Sequence, residues 1–210
     1  KKGRNYKDFE NEDDPKFRNL FTYAMHERSD LSADKLADAV SQKRVGKLLD
    51  LGCGPGSYTA AILKEDKTAT ATLMDRAAAI KVARKLCKTQ SVYNRLHFVS
   101  GDFFDDELGG GYDTVLMSNI IHIYNATENK TIFEKINKAL KKGGRFVLYD
   151  LFLNNSKTGP YDAALFAITM LLYTKTGKSY AFGEVESLLR NAGFARIKKT
   201  KIGDGSSIVE

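Results

Sequence analysis

The spacing of hydrophobic residues divides the chain into two parts near residue 45. Before that point, apolar side chains recur at steps of three and four residues, which predicts two helices with one apolar face each. The first helix follows Pro15, and the second follows Ser32, a residue type that often caps a helix N-terminus. Residues 1–44 are therefore expected to form a short helical lead-in. Its apolar positions are Phe17, Leu20, Phe21, Ala24 and Met25 in the first helix and Leu36, Ala37 and Val40 in the second.

From residue 45 onwards, short apolar runs alternate with longer amphipathic stretches. The predicted strands are 45–51, 69–74, 96–99, 113–117 and 145–151, and the predicted helices are 57–64, 77–87, 127–140, 161–173 and 182–191. Repeated β-α-β units of this size indicate a parallel sheet with helices on both faces. Two further strands, 195–202 and 206–209, are joined by Gly203-Asp204-Gly205, which is typical of a hairpin. Residues 45–210 are thus expected to form one α/β domain, a doubly wound, Rossmann-like, mostly parallel seven-stranded sheet with a terminal antiparallel hairpin.

Composition narrows the class of protein. With 42% hydrophobic and 28% charged residues among 210, the chain has the balance of a soluble globular protein. No apolar run is long enough to cross a bilayer, so no membrane partner is expected. The two cysteines, Cys53 and Cys87, form no CxxC pair and stand in no Cys/His cluster. A disulfide scaffold and a structural zinc site are therefore not expected. A cytoplasmic location is expected instead.

The net charge of +7 comes from 33 Lys and Arg against 26 Asp and Glu. A charge of this size can indicate a polyanionic partner. Because acidic residues are mixed among the basic ones along the whole chain, an ordinary basic surface is the preferred interpretation, and a nucleic-acid partner stays open.

The clearest functional signal is a glycine-rich turn between the first predicted strand and the helix after it. Asp50 precedes Gly52, Gly54 and Gly56 in a Gly-x-Gly-x-Gly spacing. Glycines in such a turn let bare backbone approach a ligand at a helix N-terminus. Dinucleotide sites use Gly-x-Gly-x-x-Gly instead, so that a pyrophosphate fits the turn. The acid just before the turn suits a ligand with an ammonium or sulfonium charge.

Two further carboxylates end the next two predicted strands. Asp75 can accept hydrogen bonds from both hydroxyls of a ribose, or it can cap the helix that follows. Asp102 can accept the exocyclic amine of adenine, and Phe103 can pack on the face of the ring. Because ligands of open α/β sheets bind beyond the carboxyl ends of the strands, these side chains are expected to surround one nucleoside.

In this combination, the chain from about residue 45 to its end resembles class I S-adenosylmethionine-dependent methyltransferases. A Gly143-Gly144 turn before the fifth predicted strand and the terminal hairpin complete the pattern. The resemblance implies S-adenosylmethionine as the cofactor, S-adenosylhomocysteine as its product, and no metal. It implies that the glycines lie against the methionine part. The cofactor-binding residues it implies are Asp50, Gly52, Gly54, Gly56, Asp75, Arg76, Asp102, Phe103 and Ser118.

The segment after the fourth predicted strand resembles, more narrowly, the catalytic domain of small-molecule O-methyltransferases of the caffeate and hydroxyindole type. In that family a His at this position takes the proton of a substrate hydroxyl, and an acid orients it. The resemblance gives these roles to His122 and Asp150, although Ser179 stands near where a second orienting acid is expected. His122 is thus either a general base or a packing histidine of the pocket. The acceptor pocket is expected to include Asn119, Phe166, Met170 and Tyr173.

The sequence leaves three candidate functions open. The preferred one is methyl transfer to a hydroxyl of a small molecule. The alternatives are methylation of RNA or protein over a basic surface, or a non-catalytic domain that binds S-adenosylmethionine. The candidate basic residues are Arg196, Lys198, Lys199 and Lys201. The family's N-terminal dimerisation domain is represented at most by its tail, in residues 1–44, and a homodimer is expected if the complete protein carries that domain.

Overall fold

The computed structural model describes residues 14–203 and 205–210. Residues 1–13 of the predicted lead-in and Asp204 of the predicted hairpin turn lie outside this part. The helices are α1 Pro15–Ser29, α2 Ala33–Ser41, α3 Ser57–Glu65, α4 Ala77–Cys87, α5 Ala126–Ala139, α6 Tyr161–Tyr173 and α7 Phe182–Asn191. The strands are β1 Lys47–Leu51, β2 Thr70–Asp75, β3 Leu96–Ser100, β4 Tyr112–Ser118, β5 Leu140–Leu151, β6 Lys199–Gly203 and β7 Ser206–Val209.

All seven strands join one sheet, in the order β3-β2-β1-β4-β5-β7-β6. Strands β1 to β5 run parallel to one another, whereas β7 is antiparallel to both β5 and β6. The chain moves outward from β1 to β3 and then returns to the other side of β1 with β4. Such a reversal leaves a crevice beyond the carboxyl ends of the strands, where doubly wound folds bind their ligands. The predicted fold class is confirmed.

Helices cover both faces of the sheet. On one face, α2, α3 and α4 bury residues such as Leu36, Ile62 and Ile80 against the strands. On the other, α5 and α7 bury residues such as Phe133 and Leu189. Each side chain of this kind contributes about 1.5–3 kcal/mol when it leaves water completely. The two apolar layers hold the strand ends, and hence the side chains that follow them, in a fixed arrangement.

The lead-in helices pack against this domain. Helix α1 contacts α4 and α3, and α2 contacts α3. Arg145 on β5 fastens the end of α2, because its guanidinium donates to the carbonyls of Val40 at 2.6 Å and Lys43 at 3.2 Å. The same group pairs with Glu210 at 3.3 Å. One arginine therefore ties the lead-in and the last strand to the centre of the sheet.

Two helices leave their apolar side chains in solvent. In α1, Leu20 is 71% exposed, and Phe17 and Phe21 are also exposed, so the predicted apolar face is not buried. In α6, only Ala163 and Met170 are buried, and Leu171 is 78% exposed. In the described chain, α6 is therefore not a core helix.

Several predicted boundaries are also corrected. Strand β5 begins at Leu140, so Gly143 and Gly144 interrupt its pairing with β4 rather than precede it. Strand β6 begins only at Lys199, because Arg196 adopts a positive φ of 58° that no extended strand allows. The Ser32 hydroxyl does not cap α2; it bonds to the Tyr58 hydroxyl at 3.1 Å. Among the described helices, none is long and apolar enough to span a membrane.

Candidate active site

The glycine turn between β1 and α3 lies at the switch point of the sheet. Gly52, Gly54 and Gly56 have φ values of 73°, 52° and 77°, in the left-handed region that favours glycine. At Gly56, a Cβ would also lie 2.7 Å from Leu73 Cδ2. At Gly54, no described atom lies within 4 Å of a Cβ position, so a ligand can rest directly on the backbone there.

Asp50 is buried close to this turn and is 1% exposed. The Thr59 hydroxyl donates to its Oδ2 at 2.6 Å, whereas its Oδ1 is buried with no hydrogen-bond partner in the described chain. Burial and, less strongly, the charge of Asp75 raise the pKa of Asp50 to about 7, although the Thr59 hydrogen bond lowers it. A buried carboxyl with an orphaned oxygen fits a positively charged ligand, such as the ammonium or sulfonium of the predicted cofactor.

Asp75 links the end of β2 to the glycine turn. Its Oδ2 accepts from the backbone N–H of Gly54 at 2.8 Å, and its Oδ1 accepts from that of Arg76 at 2.7 Å. The alternative role as a cap of α4 is not observed, because α4 has no side-chain cap. Burial raises the pKa of Asp75, although these backbone hydrogen bonds oppose the shift. Each oxygen keeps a lone pair, so the carboxylate can still accept from two ligand hydroxyls.

A cavity of about 440 Å³ opens beside Asp75, at the ends of β2 and β3. Two predicted residues, Arg76 and Asp102, meet in its wall, with the guanidinium 3.2 Å from Oδ2 of the carboxylate. Phe103 does not line this cavity; its ring packs against those of Phe104 and Tyr124. Helix α1 forms part of the wall, which sequence reasoning did not anticipate. The lining residues are Pro15, Arg18, Arg76, Ala77, Ala78, Ser100, Gly101 and Asp102.

His122 and Asp150 form a buried pair on the other side of the switch point. The imidazole lies on a 3₁₀ turn, Ile121–Ile123, between β4 and α5, and the carboxylate lies near the end of β5. Nδ1 is 2.9 Å from both Oδ1 and Oδ2 of Asp150. An ionised carboxylate only accepts hydrogen bonds, so Nδ1 carries the proton and Nε2 is the basic nitrogen. The other histidines differ: His26 bonds to the Ser57 hydroxyl at 2.7 Å, and His97 is exposed.

The predicted acceptor residues differ in burial and in their recorded contacts with this pair. The ring of Phe166 meets that of His122 edge-on, with centroids 4.8 Å apart. Met170 is buried on the same helix, whereas Tyr173 is 50% exposed. Asn119 follows β4 with a positive φ of 55°, and its backbone N–H donates to the Tyr149 carbonyl at 2.8 Å. Ser118, predicted at the cofactor, is the buried last residue of β4.

Sequence reasoning missed the polar residues that hold the His122 turn. Asn129 on α5 and Tyr180 before α7 are both buried, and both bond to the backbone beside His122. Neither residue belongs to a motif, and they are far apart in the chain, so no local signal reveals them. Ser179 is buried and its hydroxyl has no partner in the described chain. It supplies no second carboxylate to the imidazole.

The two thiols are not part of this chemistry. Cys53 and Cys87 are both buried, and burial raises the pKa of the Cys87 thiol to about 11 and that of Cys53 well above its usual range. Within residues 14–203 and 205–210, no group of three or more His, Cys, Asp or Glu side chains is arranged to hold a metal ion.

Comparisons with known proteins agree with this geometry. The model of the O-methyltransferase domain family matches residues 4–195. The 3-hydroxy-5-methyl-1-naphthoate 3-O-methyltransferase of Streptomyces sahachiroi is 30% identical over 182 residues, which are 87% of this chain and 51% of that protein. Acetylserotonin O-methyltransferase of Gallus gallus is 27% identical over 157 residues, which are 75% of this chain and 44% of that protein.

A solved structure of PigF with SAH superposes with a TM-score of 0.72 at 29% identity, covering 78% of this chain and 49% of that one. SAH is the product predicted for the cofactor of this chain. The chain spans about half the length of the curated relatives named here. The family model covers most of the described residues and crosses the predicted boundary at residue 45. The predicted resemblance is confirmed: the chain belongs to the O-methyltransferase domain family.

Proposed function

We propose that the chain binds S-adenosylmethionine beyond the carboxyl ends of β1 to β3 and transfers its methyl group to a hydroxyl of a small molecule. His122 is the general base, and Asp150 orients it. The observation that carries this proposal is the buried pair itself, in which Nδ1 lies 2.9 Å from both carboxylate oxygens. That contact fixes the ring and leaves Nε2 to meet an acceptor.

The chain's own residues divide the work as follows. The cofactor, when bound, supplies a methyl group already activated by a positively charged sulfur. The glycine turn and Asp50 hold its charged amino-acid end, and Asp75 holds the ribose. Arg76 and Asp102 lie beside the adenine of the cofactor. Because the methyl group needs no further activation, bringing the acceptor oxygen in line at about 3 Å supplies much of the rate, and removal of its proton by Nε2 supplies the rest.

The surroundings of His122 support an apolar acceptor. Phe166 presents an aromatic ring beside the imidazole, Met170 is buried four residues further along α6, and small-molecule sites are mostly apolar with few polar groups. A phenol combines an apolar body with a hydroxyl that loses its proton far more readily than an aliphatic alcohol does. We therefore propose an aromatic hydroxyl as the acceptor. Asn119 and Tyr173 are further candidates for its contacts.

The wider organisation remains a proposal. We propose that residues 1–44 form a helical lead-in to a methyltransferase domain at 45–210, that the protein forms a homodimer if its complete chain carries the family's N-terminal dimerisation domain, and that it is cytoplasmic. A nucleic-acid acceptor is less favoured. Of the basic residues considered for it, Lys199 is partly buried, with its ammonium over the rings of Phe152 and Phe182.

Two measurements test the proposal. Isothermal titration should detect binding of S-adenosylmethionine and S-adenosylhomocysteine, and Asp75→Asn should weaken both. A labelled-methyl assay over a panel of phenols, with RNA and a basic protein as competing acceptors, should give product only with phenols. Binding without any transfer would favour a non-catalytic domain that binds S-adenosylmethionine. Transfer to RNA or protein would favour an RNA or protein methyltransferase.

The base is tested by His122→Gln. General-base catalysis contributes about 10²- to 10⁴-fold, so the rate with the best phenol should fall by that factor while cofactor affinity stays the same. His97→Gln is the matched control, because it removes an exposed imidazole on β3. Near wild-type turnover by the His122 variant at neutral pH would show that the proton leaves by another route.

A further inference from the structure

The turn that carries His122 is held from outside by one buried amide. It is a three-residue 3₁₀ turn with few hydrogen bonds of its own. The Asn129 side-chain N–H group donates to the carbonyls of Ile121 at 2.8 Å and Tyr124 at 3.0 Å, which flank His122 and Ile123. Because both partners are acceptors, the amide nitrogen must face them, and the opposite orientation would set oxygen against oxygen. Asn129 is fully buried, so no water competes for these bonds.

A tyrosine hydroxyl completes the clamp. Tyr180 donates to the Tyr124 carbonyl at 2.7 Å and accepts from the Asn129 amide at 3.1 Å. Its side chain is among the largest fully buried in the described chain. Burial raises the pKa of Tyr180 to about 12, although the Asn129 hydrogen bond lowers it, so the hydroxyl keeps its proton as a donor at neutral pH.

The same tyrosine is fastened to the strand that carries Asp150. The Tyr180 carbonyl accepts from the Leu153 N–H at 2.9 Å, three residues after Asp150. Ala181 and Leu153 form a parallel β-bridge. Tyr180 therefore contacts the His122 turn through its side chain and the continuation of β5 through its backbone. It spans the two elements whose relative position sets the distance from Nδ1 to the carboxylate.

Close packing and an unpaired atom indicate how strongly this arrangement is constrained. A Cβ on Gly177 would overlap the carbonyl oxygen of His122 and lie 2.7 Å from that of Ile123, so the segment before Tyr180 rests directly on the turn. The Asn129 Oδ1 has no partner in the described chain although it is buried. Few buried polar atoms are left unpaired in folded proteins. In Asn129 the side-chain nitrogen is paired with both carbonyls of the turn, although this orientation leaves the oxygen unpaired.

We propose that Asn129 and Tyr180 are positioning residues for the methyl-transfer base. They hold the turn so that Nδ1 of His122 reaches both oxygens of Asp150 and Nε2 faces the acceptor. Neither residue touches the cofactor or the acceptor; both act through the imidazole. The inference rests on the proposed function for its effect on rate, but the alignment of the pair can be measured without any turnover.

The first test is a nitrogen-15 NMR spectrum of the imidazoles in the whole chain, which has three histidines. His26→Gln and His97→Gln assign the signals by deletion. In the wild type, His122 should show a single tautomer with a slowly exchanging, strongly deshielded Nδ1 proton. Tyr180→Phe keeps the ring and removes only the hydroxyl, and it should broaden this signal and mix the tautomers. An unchanged His122 signal in this variant would overturn the proposal.

The matched control is Thr114→Val at the opposite end of β4. It also removes one buried hydroxyl that donates to a backbone carbonyl, that of Val45 at 2.9 Å. It should destabilise the chain without altering the His122 signal. If both variants changed the signal equally, general loosening rather than positioning would explain the effect, and the proposal would fail.

The second test is kinetic, with the best phenol of the acceptor panel. Tyr180→Phe should lower kcat by about 10- to 100-fold, the range expected when a reacting group is misplaced by a fraction of an ångström to 1 Å, and it should leave the Kd for S-adenosylhomocysteine unchanged. In an Asp150→Asn background the same change should have little further effect, because the pair it aligns is already broken. Full additivity would contradict a role through His122.

The two tests separate the two proposals. An NMR change without transfer to any acceptor would sustain the positioning role while refuting the proposed function. If methyl transfer depends on His122 but Tyr180→Phe alters neither the His122 signal nor kcat, the proposed function is upheld and the positioning role is refuted. If Tyr180→Phe proves too unstable to study, Asn129→Leu removes the amide donor to Ile121 and Tyr124 and should give the same change in the His122 signal, and an unchanged signal there would overturn the proposal equally.

Discussion

Asp50 offers the sharpest test of the site's electrostatics. The substitution Asp50→Asn keeps an oxygen for the Thr59 hydroxyl and removes the charge from a position that is 1% exposed. In the free chain it should be stabilising above neutral pH, because the wild-type carboxylate is then ionised in a buried place where one oxygen has no partner among the described residues. In the presence of S-adenosylmethionine it should weaken binding, because a positive ligand loses its counter-charge.

The size of the effect follows from the pKa, which rises from 3.8 to about 7 in the folded chain. A difference of about 3 units corresponds to at most about 4 kcal/mol, at about 1.4 kcal/mol per unit. Since the folded state binds this proton more tightly than the unfolded state, the stabilisation is complete below about pH 4. It is lost as the pH rises to about 7, and it changes no further above that.

The assay is urea denaturation of the wild type and of Asp50→Asn at several pH values between 4.5 and 8. The wild type should lose stability relative to the variant as the pH rises through this window. Asp66→Asn is the control of opposite sign: although burial raises its pKa, hydrogen bonds from the Val45 and Thr68 backbones help to lower it. Its stabilisation is lost only as the pH falls below about 4, so the difference in stability between the wild type and Asp66→Asn should stay constant between pH 4.5 and 8. A pH-independent difference between the wild type and Asp50→Asn would refute the reasoning.

Two further substitutions test the frame of the site. Gly56→Ala should lower the free energy of unfolding by about 1–3 kcal/mol, because a Cβ there would meet Leu73 at 2.7 Å. Gly111 has a similar φ of 74° and no described atom near its Cβ position. In the same urea titration, Gly111→Ala should therefore lower the free energy of unfolding by less. Arg145→Met should cost about 3–5 kcal/mol, because it removes the donors from two carbonyls at the end of α2 and one partner of Glu210. A fall in thermal midpoint of less than 1 °C would contradict the Arg145 expectation.

Much of the cofactor side of the site was predictable because its signals are local. Glycines with positive φ, an acid before the turn and an acid at the end of the next strand each occur within a few residues of a strand end. The parallel sheet then brings successive strand ends to one edge, so a pattern in the sequence becomes a cluster in space. The pairing of His122 with Asp150 was expected from the family resemblance alone, and the structure brings the two residues together because β4 and β5 are neighbours in the sheet.

The remaining features depend on contacts that the local sequence does not encode. The spacing of apolar residues predicted one apolar face for α1, but periodicity does not say whether another element covers a helix, and Leu20 is exposed. Phe103 was expected on the face of the adenine ring, whereas its own ring packs against those of Phe104 and Tyr124. The clamp of Asn129 and Tyr180 joins residues 51 positions apart, and only the fold brings them together.

The two inert thiols have a practical consequence. Cys53 and Cys87 are the chain's entire supply of cysteine, and both are buried with raised pKa values. Thiol-directed dyes should therefore not react with the native protein near neutral pH. They should react with a single cysteine that is introduced on its surface. Leu171→Cys would carry such a dye on the outward side of α6. Fluorescence from that one position would then report directly on anything that settles against the helix.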